Sequence, residues 1–367
     1  MARILILANH DLGLYNFRKE LVQEMLDKGN EVYVSLPNGE KVKNLTDLGC
    51  SFIETKVDRR GLNPIKDLGL LFSYSRIFKK VKPDMIITYT IKPNIYGGIA
   101  SRFMKIPYAV NITGLGTAFQ KDGFFKKIII FLYKLSSQKA SVIFFENQGN
   151  QQLFIKESIV KEKNTYKLNG AGVNLNEYEY CDYPSNSEQI RFLFIGRVMK
   201  EKGIDELFEV ACRIRKRYDN ITFDIVGPIE DNYEEKIMEL KEKEIIKYHG
   251  FQTDVKKFIK TTNCFVLPSY HEGMANTLLE SGAMGRPLIT SNIYGCKEAV
   301  NNSENGFLVN VGDSDDLYLK IKDFIELPYE RKVHMGIKSR EHIEKKFNKK
   351  LVVKSTLEVL EKKIGIM

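Results

Sequence analysis

Short apolar runs of four to six residues alternate along the whole chain with longer stretches in which apolar positions recur every three or four residues. Residues 3–8 form the first run. A loop with Gly13 follows, then a helical pattern through Leu21, Val22, Met25 and Leu26 that stops at Gly29. Residues 31–36 read as a second strand, ended by Pro37, Asn38 and Gly39, and residues 85–90, after Pro83 and Asp84, as another. Residues 109–112 and 142–145 continue the rhythm. Strands alternating with helices predict a parallel sheet with right-handed crossovers.

Across residues 174–187 the composition turns to Asn, Tyr, Pro and Ser, which marks a linker. The alternation then restarts, with strands expected at 190–195, 222–226, 264–267 and 287–290. The chain therefore divides into a first domain over residues 1–173 and a second over 188–340. A C-terminal helix, residues 341–367, can pack back on the N-terminal domain or stay with the second. Each domain is expected to be a doubly wound, Rossmann-like α/β unit. Such sheets bind ligands outside the carboxyl ends of their strands, so the two are expected to face each other across a cleft that holds the active site.

The length of 367 residues agrees with two cores, since single cores stop growing at about 250 to 300 residues. Charge changes the picture more than length does. Residues 1–170 hold 26 Lys and Arg against 15 Asp and Glu, and the remainder holds 30 against 32. A positive field confined to the first half selects an anionic partner there, such as a phosphate, a nucleic acid or an acidic lipid. Five widely spaced cysteines without a CxxC pair exclude a disulfide framework and a zinc knuckle. The first apolar run is too short for a signal peptide, and no stretch reaches the ~18 to 20 apolar residues of a membrane span. The expected location is cytoplasmic, on the inner face of the cell membrane if peripheral. No Asp-x-Asp pair follows a strand and no His/Asp cluster has metal spacing, so neither a metal nor another cofactor is expected.

Two loops carry candidate chemistry. After strand 190–195, residues Gly196 to Gly203 lead into a helix beginning near Asp205. The forked guanidinium of Arg197 and the compact ammonium of Lys202, close to the positive end of a helix, suit a diphosphate; taken alone, the loop reads equally well as solvated charge. After strand 264–267, the segment from Pro268 to Glu280 holds Glu272 and Glu280, separated by seven residues. With Glu272 in the loop and Glu280 two turns along the next helix, both can reach one elongated ligand. Gly273, Met274, Ala275 and Asn276 would offer backbone N–H groups at the helix start. The alternative is a capped helix with one exposed glutamate. Residues 121–134 combine consecutive apolar residues with Lys121, Lys126, Lys127 and Lys134. That pattern suits an interfacial helix on an anionic lipid surface, or a buried helix with a basic edge, and the charge split favours the lipid.

Together the two loops resemble those of the family 4 retaining glycosyltransferases of GT-B fold, and the resemblance covers nearly the whole chain. It implies that Arg197, Lys202 and Glu272 carry catalysis, with the two cations on the donor diphosphate, Glu272 on the donor sugar and Glu280 on the ribose. Gly196 and the stretch Gly273, Met274, Ala275, Asn276, Thr277 and Leu278 would cradle sugar and phosphate. Gly13 would approach the diphosphate from the other domain, and Gly250 with Phe251 would hold the base. In the first half, Tyr15 to Arg18, Asp58 to Pro64, Ile91 to Gly97 and Thr113 to Gly116 are similar to capsule, O-antigen and glycan-assembly transferases that act on undecaprenyl-diphosphate-linked sugars. That likeness implies an acceptor site containing Asn16, Arg18, Arg59, Arg60, Lys92 and Asn94. Arg18, Arg59, Arg60 and Lys92 read as cations on loops at strand ends, where an acceptor diphosphate would need neutralising, and any one of them reads equally well as ordinary surface charge. Many relatives carry a histidine near position 91; here Ile91 stands there, so the departing phosphate, rather than a side chain, is expected to take the acceptor proton. His10 and His271 are the other candidate bases. The implied donor is a UDP-linked hexose or N-acetylhexosamine, and nucleic acid is not an expected partner.

A nucleotide-sugar epimerase of the same double-Rossmann build is the rival enzyme, but its proton abstraction needs carboxylates and histidines rather than the Arg197, Lys202, Glu272 and Glu280 set. A nicotinamide dehydrogenase fits less well, because the stretch from Gly114 to Phe119 lacks the third glycine of the dinucleotide fingerprint. A non-catalytic binding protein would explain the basic half and leave the paired glutamates without a role.

Overall fold

The structure, a computed structural model, describes residues 1–58, 64–116, 119, 123–185 and 189–365. The chain forms two compact units. One comprises Met1–Ala171 together with Lys349–Met367, the other Gly172–Asn348.

The first unit runs β1 (Arg3–Leu7), α1 (Asp11–Asp27), β2 (Glu31–Leu36), α2 (Val42–Asp47), β3 (Ser51–Glu54), α3 (Pro64–Val81), β4 (Met85–Tyr89), α4 (Gly98–Phe103), β5 (Tyr108–Ile112), α5 (Phe124–Ser137), β6 (Val142–Phe145), α6 (Gln148–Lys156) and β7 (Thr165–Lys167). Its strands lie in the order β3-β2-β1-β4-β5-β6-β7, all parallel. Every residue of β4 and β5 is buried, as expected of central strands covered by helices on both faces. One apolar cluster joins residues of α1 and α2 to one face of the sheet, and another joins α3 and α5 to the other.

The second unit runs β8 (Ile190–Ile195), α7 (Ile204–Arg215), β9 (Ile221–Val226), α8 (Glu234–Glu242), β10 (Ile246–Tyr248), α9 (Lys256–Thr261), β11 (Cys264–Leu267), α10 (Asn276–Ala283), β12 (Leu288–Ser291), β13 (Gly306–Val309), α11 (Ser314–Glu326) and α12 (Tyr329–Phe347). Its sheet is again parallel, in the order β10-β9-β8-β11-β12-β13, over one apolar core. In each sheet the order reverses beside the first strand of its unit, between β1 and β4 and between β8 and β11. Doubly wound sheets bind ligands at such a switch point.

The last helix, α13 (Lys349–Ile364), returns to the first unit. Its Val352, Val353, Leu357 and Leu360 join the α1 side of the core, and Lys349 Nζ donates to the Phe17 carbonyl at 3.1 Å. The helical signal at the end of the chain is thus two helices broken at Asn348, with α12 kept by the second unit. The apolar pattern also missed β3, β7, β10 and β13. These are three- or four-residue strands at or next to a sheet edge, where one-sided exposure dilutes the apolar run.

Candidate functional site

Both candidate loops of the second unit leave the carboxyl ends of the strands that flank its switch point, β8 and β11. Val198 is buried and donates its N–H to the Pro228 carbonyl at 2.8 Å, which pins the first loop to the neighbouring strand end. The chain then makes a single 3-10 turn over Lys200–Lys202 and reverses at Gly203, whose φ is +69°. A Cβ on Gly203 would lie 2.1 Å from the Pro268 carbonyl oxygen, so only glycine lets the two loops touch. Tyr270 N–H closes the contact on the Glu201 carbonyl at 2.9 Å.

This contact puts Lys202 against Glu272. Lys202 Nζ stands 2.5 Å from Glu272 Oε1, the two side chains being 17% and 12% exposed, and Ser269 Oγ donates to the same oxygen at 2.9 Å. Arg197 lies at the other end of its loop, 47% exposed, with Nη1 2.9 Å from Glu230 Oε2. The two cations therefore share a loop but each holds a carboxylate of its own.

Helix α10 starts at Asn276, so Glu280 stands just over one turn in, nearer the helix start than the two turns expected from sequence. Its partner is the Tyr178 hydroxyl from the segment before β8, which the sequence did not single out. Burial, with the Glu280 charge adding to it, pushes the Tyr178 hydroxyl up, so it stays protonated as a donor. The expected row of free amides is also shorter than the sequence suggested. Ala275 N–H goes to the Gly295 carbonyl at 2.8 Å and Leu278 N–H to the Ala275 carbonyl at 3.0 Å. Asn276 and Thr277 occupy the first helical positions, whose amides have no intrahelical acceptor. The Asn276 Oδ1 atom is buried without a hydrogen bond. Met274 is buried.

A third loop, after β12, completes this surface. Gly295 has φ +90°, and a Cβ there would come within 2.6 Å of the Gly273 carbonyl oxygen. Its N–H donates to Glu298 Oε2 at 2.7 Å, while the Glu298 carbonyl accepts from His342 Nε2 at 2.8 Å. Cys296 is fully buried behind the Lys202–Glu272 pair, and burial, followed by the Glu272 charge, holds its thiol well above the ordinary range. The sequence pattern placed the strand before this loop but did not single out Gly295, whose close approach to Gly273 and Glu272 is purely tertiary. Gly250 follows β10 with φ +64°, its carbonyl accepts from Gly227 N–H at 2.8 Å, and Phe251 beside it is exposed. Gly196 follows β8 directly, its N–H on the Val226 carbonyl at 2.9 Å. His271 is exposed.

In the first unit the expected acceptor residues lie differently from the sequence reading. Gly13 is in the first turn of α1 rather than in a loop, and its N–H donates to His10 Nδ1 at 2.9 Å, which makes His10 the helix cap. Asn16 is exposed on α1. Arg18 is not on a loop: it is buried within α1, bonded to Glu146 just after β6 and 5.1 Å from the Tyr89 ring centre. Lys92 is likewise buried, with Nζ 2.8 Å from Asp67 Oδ1. Asn94 is buried between Thr88 Oγ1, which donates to it at 2.7 Å, and the Asn111 carbonyl, to which it donates at 2.8 Å. A local pattern marks these residues as polar at strand ends and cannot show that their partners wait 25 and 128 residues away. Arg59 and Arg60 lie outside the described residues.

Comparison with known proteins matches residues 3–147 to the family Glycosyl transferase 4-like and residues 182–342 to Glycosyl transferases group 1. The N,N'-diacetylbacillosaminyl-diphospho-undecaprenol alpha-1,3-N-acetylgalactosaminyltransferase of Campylobacter jejuni is 28% identical over 340 residues, covering 88% of this chain and 89% of that one. The UDP-Gal:alpha-D-GlcNAc-diphosphoundecaprenol alpha-1,3-galactosyltransferase of Escherichia coli is 28% identical over 276 residues, 70% of each chain. Among solved structures, Anabaena Alr3699/HepE in complex with UDP and glucose superposes with a TM-score of 0.81 at 17% identity, over 99% of this chain and 100% of that one.

Proposed function

The chain is a glycosyltransferase of GT-B fold, one unit matching the 4-like family and the other group 1, and from that premise we propose that it moves a hexose or N-acetylhexosamine from UDP to a polyprenyl-diphosphate-linked saccharide, with retention of configuration, in the assembly of a surface polysaccharide or glycan. The observation that carries this reading is the Lys202–Glu272 pair, set at the switch point by two glycine-dependent loop contacts.

In this reading the second unit binds the donor. Lys202 and Arg197 neutralise the departing diphosphate, helped by the amides at the start of α10. Glu272 orients the sugar, and Glu280, held by Tyr178, takes the ribose. Preorganised cations in a partly buried site stabilise leaving-group charge more than they would in water. The departing phosphate oxygen accepts the acceptor's hydroxyl proton on the face from which it leaves, so no side-chain base is required. The epimerase alternative loses ground because both halves match glycosyltransferase families. The donor and acceptor classes follow those named in the two lipid-linked relatives.

A second observation supports work at a membrane. Helices α3, α4 and α5 pack side by side on one face of the first unit. They expose Ile65, Leu68 and Phe72 on α3, Phe103 on α4, and Phe124, Phe125 and Phe131 on α5, with Ile65 and Phe124 at 84% and 80%. The three helices themselves carry eight Lys and Arg and one carboxylate, Asp67, which is buried against Lys92, while Lys66 pairs with Asp58 at 3.4 Å. Among the described residues no helix is long and apolar enough to cross a membrane. A bilayer with anionic head groups fits this face, each cation near it contributing ~1 kcal/mol.

The direct test is transfer of labelled sugar from a panel of UDP-sugars to undecaprenyl-diphosphate-linked saccharides, with the anomeric configuration of the product read by NMR. Arg197→Ala and Lys202→Met should each lower turnover, Lys202→Met by ~100- to 1,000-fold. Product from GDP- or ADP-sugars only, or an inverted anomer, would overturn the donor or the stereochemistry. For the membrane, the triple change Ile65→Gln, Leu68→Gln, Phe72→Gln should weaken sedimentation with phosphatidylglycerol vesicles and leave donor binding intact. Equal sedimentation of variant and wild type would remove α3 from the contact.

A further inference from the structure

The turn that ends β4 is an expensive piece of backbone. Thr90, a β-branched residue, takes φ +71°, a conformation that such side chains rarely adopt. Three residues on, Pro93–Gly97 form a π-helical turn, a rare geometry found mostly at functional positions. Something must hold this shape, and two sets of polar contacts do so. From below, Thr88 Oγ1 donates to Asn94 Oδ1, Asn94 Nδ2 to the Asn111 carbonyl at 2.8 Å, and Asn111 Nδ2 back to the Thr88 carbonyl at 3.2 Å. From the side, the single carboxylate of Asp67 takes both Lys92 Nζ, at 2.8 Å, and the Tyr96 hydroxyl.

Asp67 belongs to the first turn of α3, another element altogether. Its carboxylate is 5% exposed and the Lys92 side chain 9%. A buried ion pair is a weak way to gain stability, because an apolar pair of the same volume often serves as well or better. What the pair adds is geometry: a charged, two-donor junction has one good arrangement, whereas apolar side chains can slide.

We propose that Asp67 is a positioning residue for the acceptor, locking the strand-end turn 90–97 to the start of α3 so that both present one fixed rim at the carboxyl edge of the first sheet. The inference rests on the acceptor reading above and deepens it. It gives Lys92 the role of a strut rather than of a contact to the acceptor diphosphate.

The test uses the full chain, a UDP-sugar donor and an undecaprenyl-diphosphate-linked acceptor, with Asp67→Asn, Lys92→Met, the double variant and Lys92→Arg. A rim displaced by an ångström costs up to ~100-fold in reactions limited by orientation, so the Michaelis constant for acceptor should rise on the order of tenfold or more in Asp67→Asn and Lys92→Met. The constant for donor and the UDP affinity should stay within about twofold. The double variant, with no unpaired buried charge, should melt near wild type yet keep the raised acceptor constant, and Lys92→Arg should restore it. If the single variants fail to fold, the double variant decides. An unchanged acceptor constant in the folded double variant overturns the inference while leaving the function standing. A wild-type enzyme that binds UDP-sugar but transfers nothing to any lipid-linked acceptor overturns the acceptor reading and this inference with it.

Discussion

Replacing Lys202 by methionine separates its ion pair with Glu272 from the role proposed for it on the leaving group. The ammonium stands 2.5 Å from Glu272 Oε1, with both side chains about one-sixth exposed or less. Breaking a fully buried pair costs ~3 to 5 kcal/mol and an exposed one at most ~1, so the loss here should be about 2 kcal/mol. The remaining carboxylate keeps only part of its compensation, through Ser269 Oγ at 2.9 Å. For a unit of this size that loss lowers the melting temperature by roughly 4 to 8 °C. The catalytic loss is larger and distinct: one preorganised charge on a leaving group accounts for ~100- to 1,000-fold in kcat. Calorimetry gives the first quantity and single-turnover transfer at saturating donor and acceptor the second. Lys202→Met combined with Glu272→Gln removes both charges and should recover most of the lost stability, because neither partner is left unpaired. It should recover no activity. A double variant that regains both would mean that Lys202 only neutralises Glu272, and the assignment of Lys202 to the diphosphate would fall.

Two further predictions follow from the loops around that pair. Gly295→Ala must push its Cβ away from the Gly273 carbonyl, 2.6 Å distant, at φ +90°; we expect a loss of ~1 to 3 kcal/mol and a donor Michaelis constant raised more than the acceptor constant, and an alanine variant with wild-type melting and kinetics would contradict the close contact. His342 is held below the ordinary imidazole range, first by burial and then by Lys346, against the pull of the Glu298 carbonyl. Between that lowered native value and about 6.5 the unfolded chain binds more protons than the native one, so this contribution to stability is complete above about pH 6.5 and is lost as the pH falls through the window. Urea midpoints at pH 5.5 and 7.5 should therefore differ less in His342→Asn than in wild type; equal differences would remove His342 from the acid response.

The alternation of apolar runs with helical periods was enough to place the two parallel α/β units, because central parallel strands are buried on both faces and leave an unbroken apolar signature. The two candidate loops at the strand ends were placed correctly for a related reason: a loop at a strand's carboxyl end is a short continuous segment, and Gly196 to Gly203 and Pro268 to Glu280 each hold their charged residues within a few positions. In the first unit the exposed loop positions expected for Arg18 and Lys92 differ from the structure, because their partners are distant in the sequence. Arg18 and Lys92 look in sequence like free cations, and Glu146 and Asp67 decide otherwise. Tyr178 under Glu280 and Gly295 against Gly273 are likewise invisible to any local pattern. The sequence by itself determined which segments become the central strands, which loops bring cations and carboxylates together at strand ends and which half is basic, since these depend on residue type and period. Only the tertiary structure decided which charges are neutralised, which amides remain open and where the last helix packs, since those depend on contacts between residues far apart in the chain.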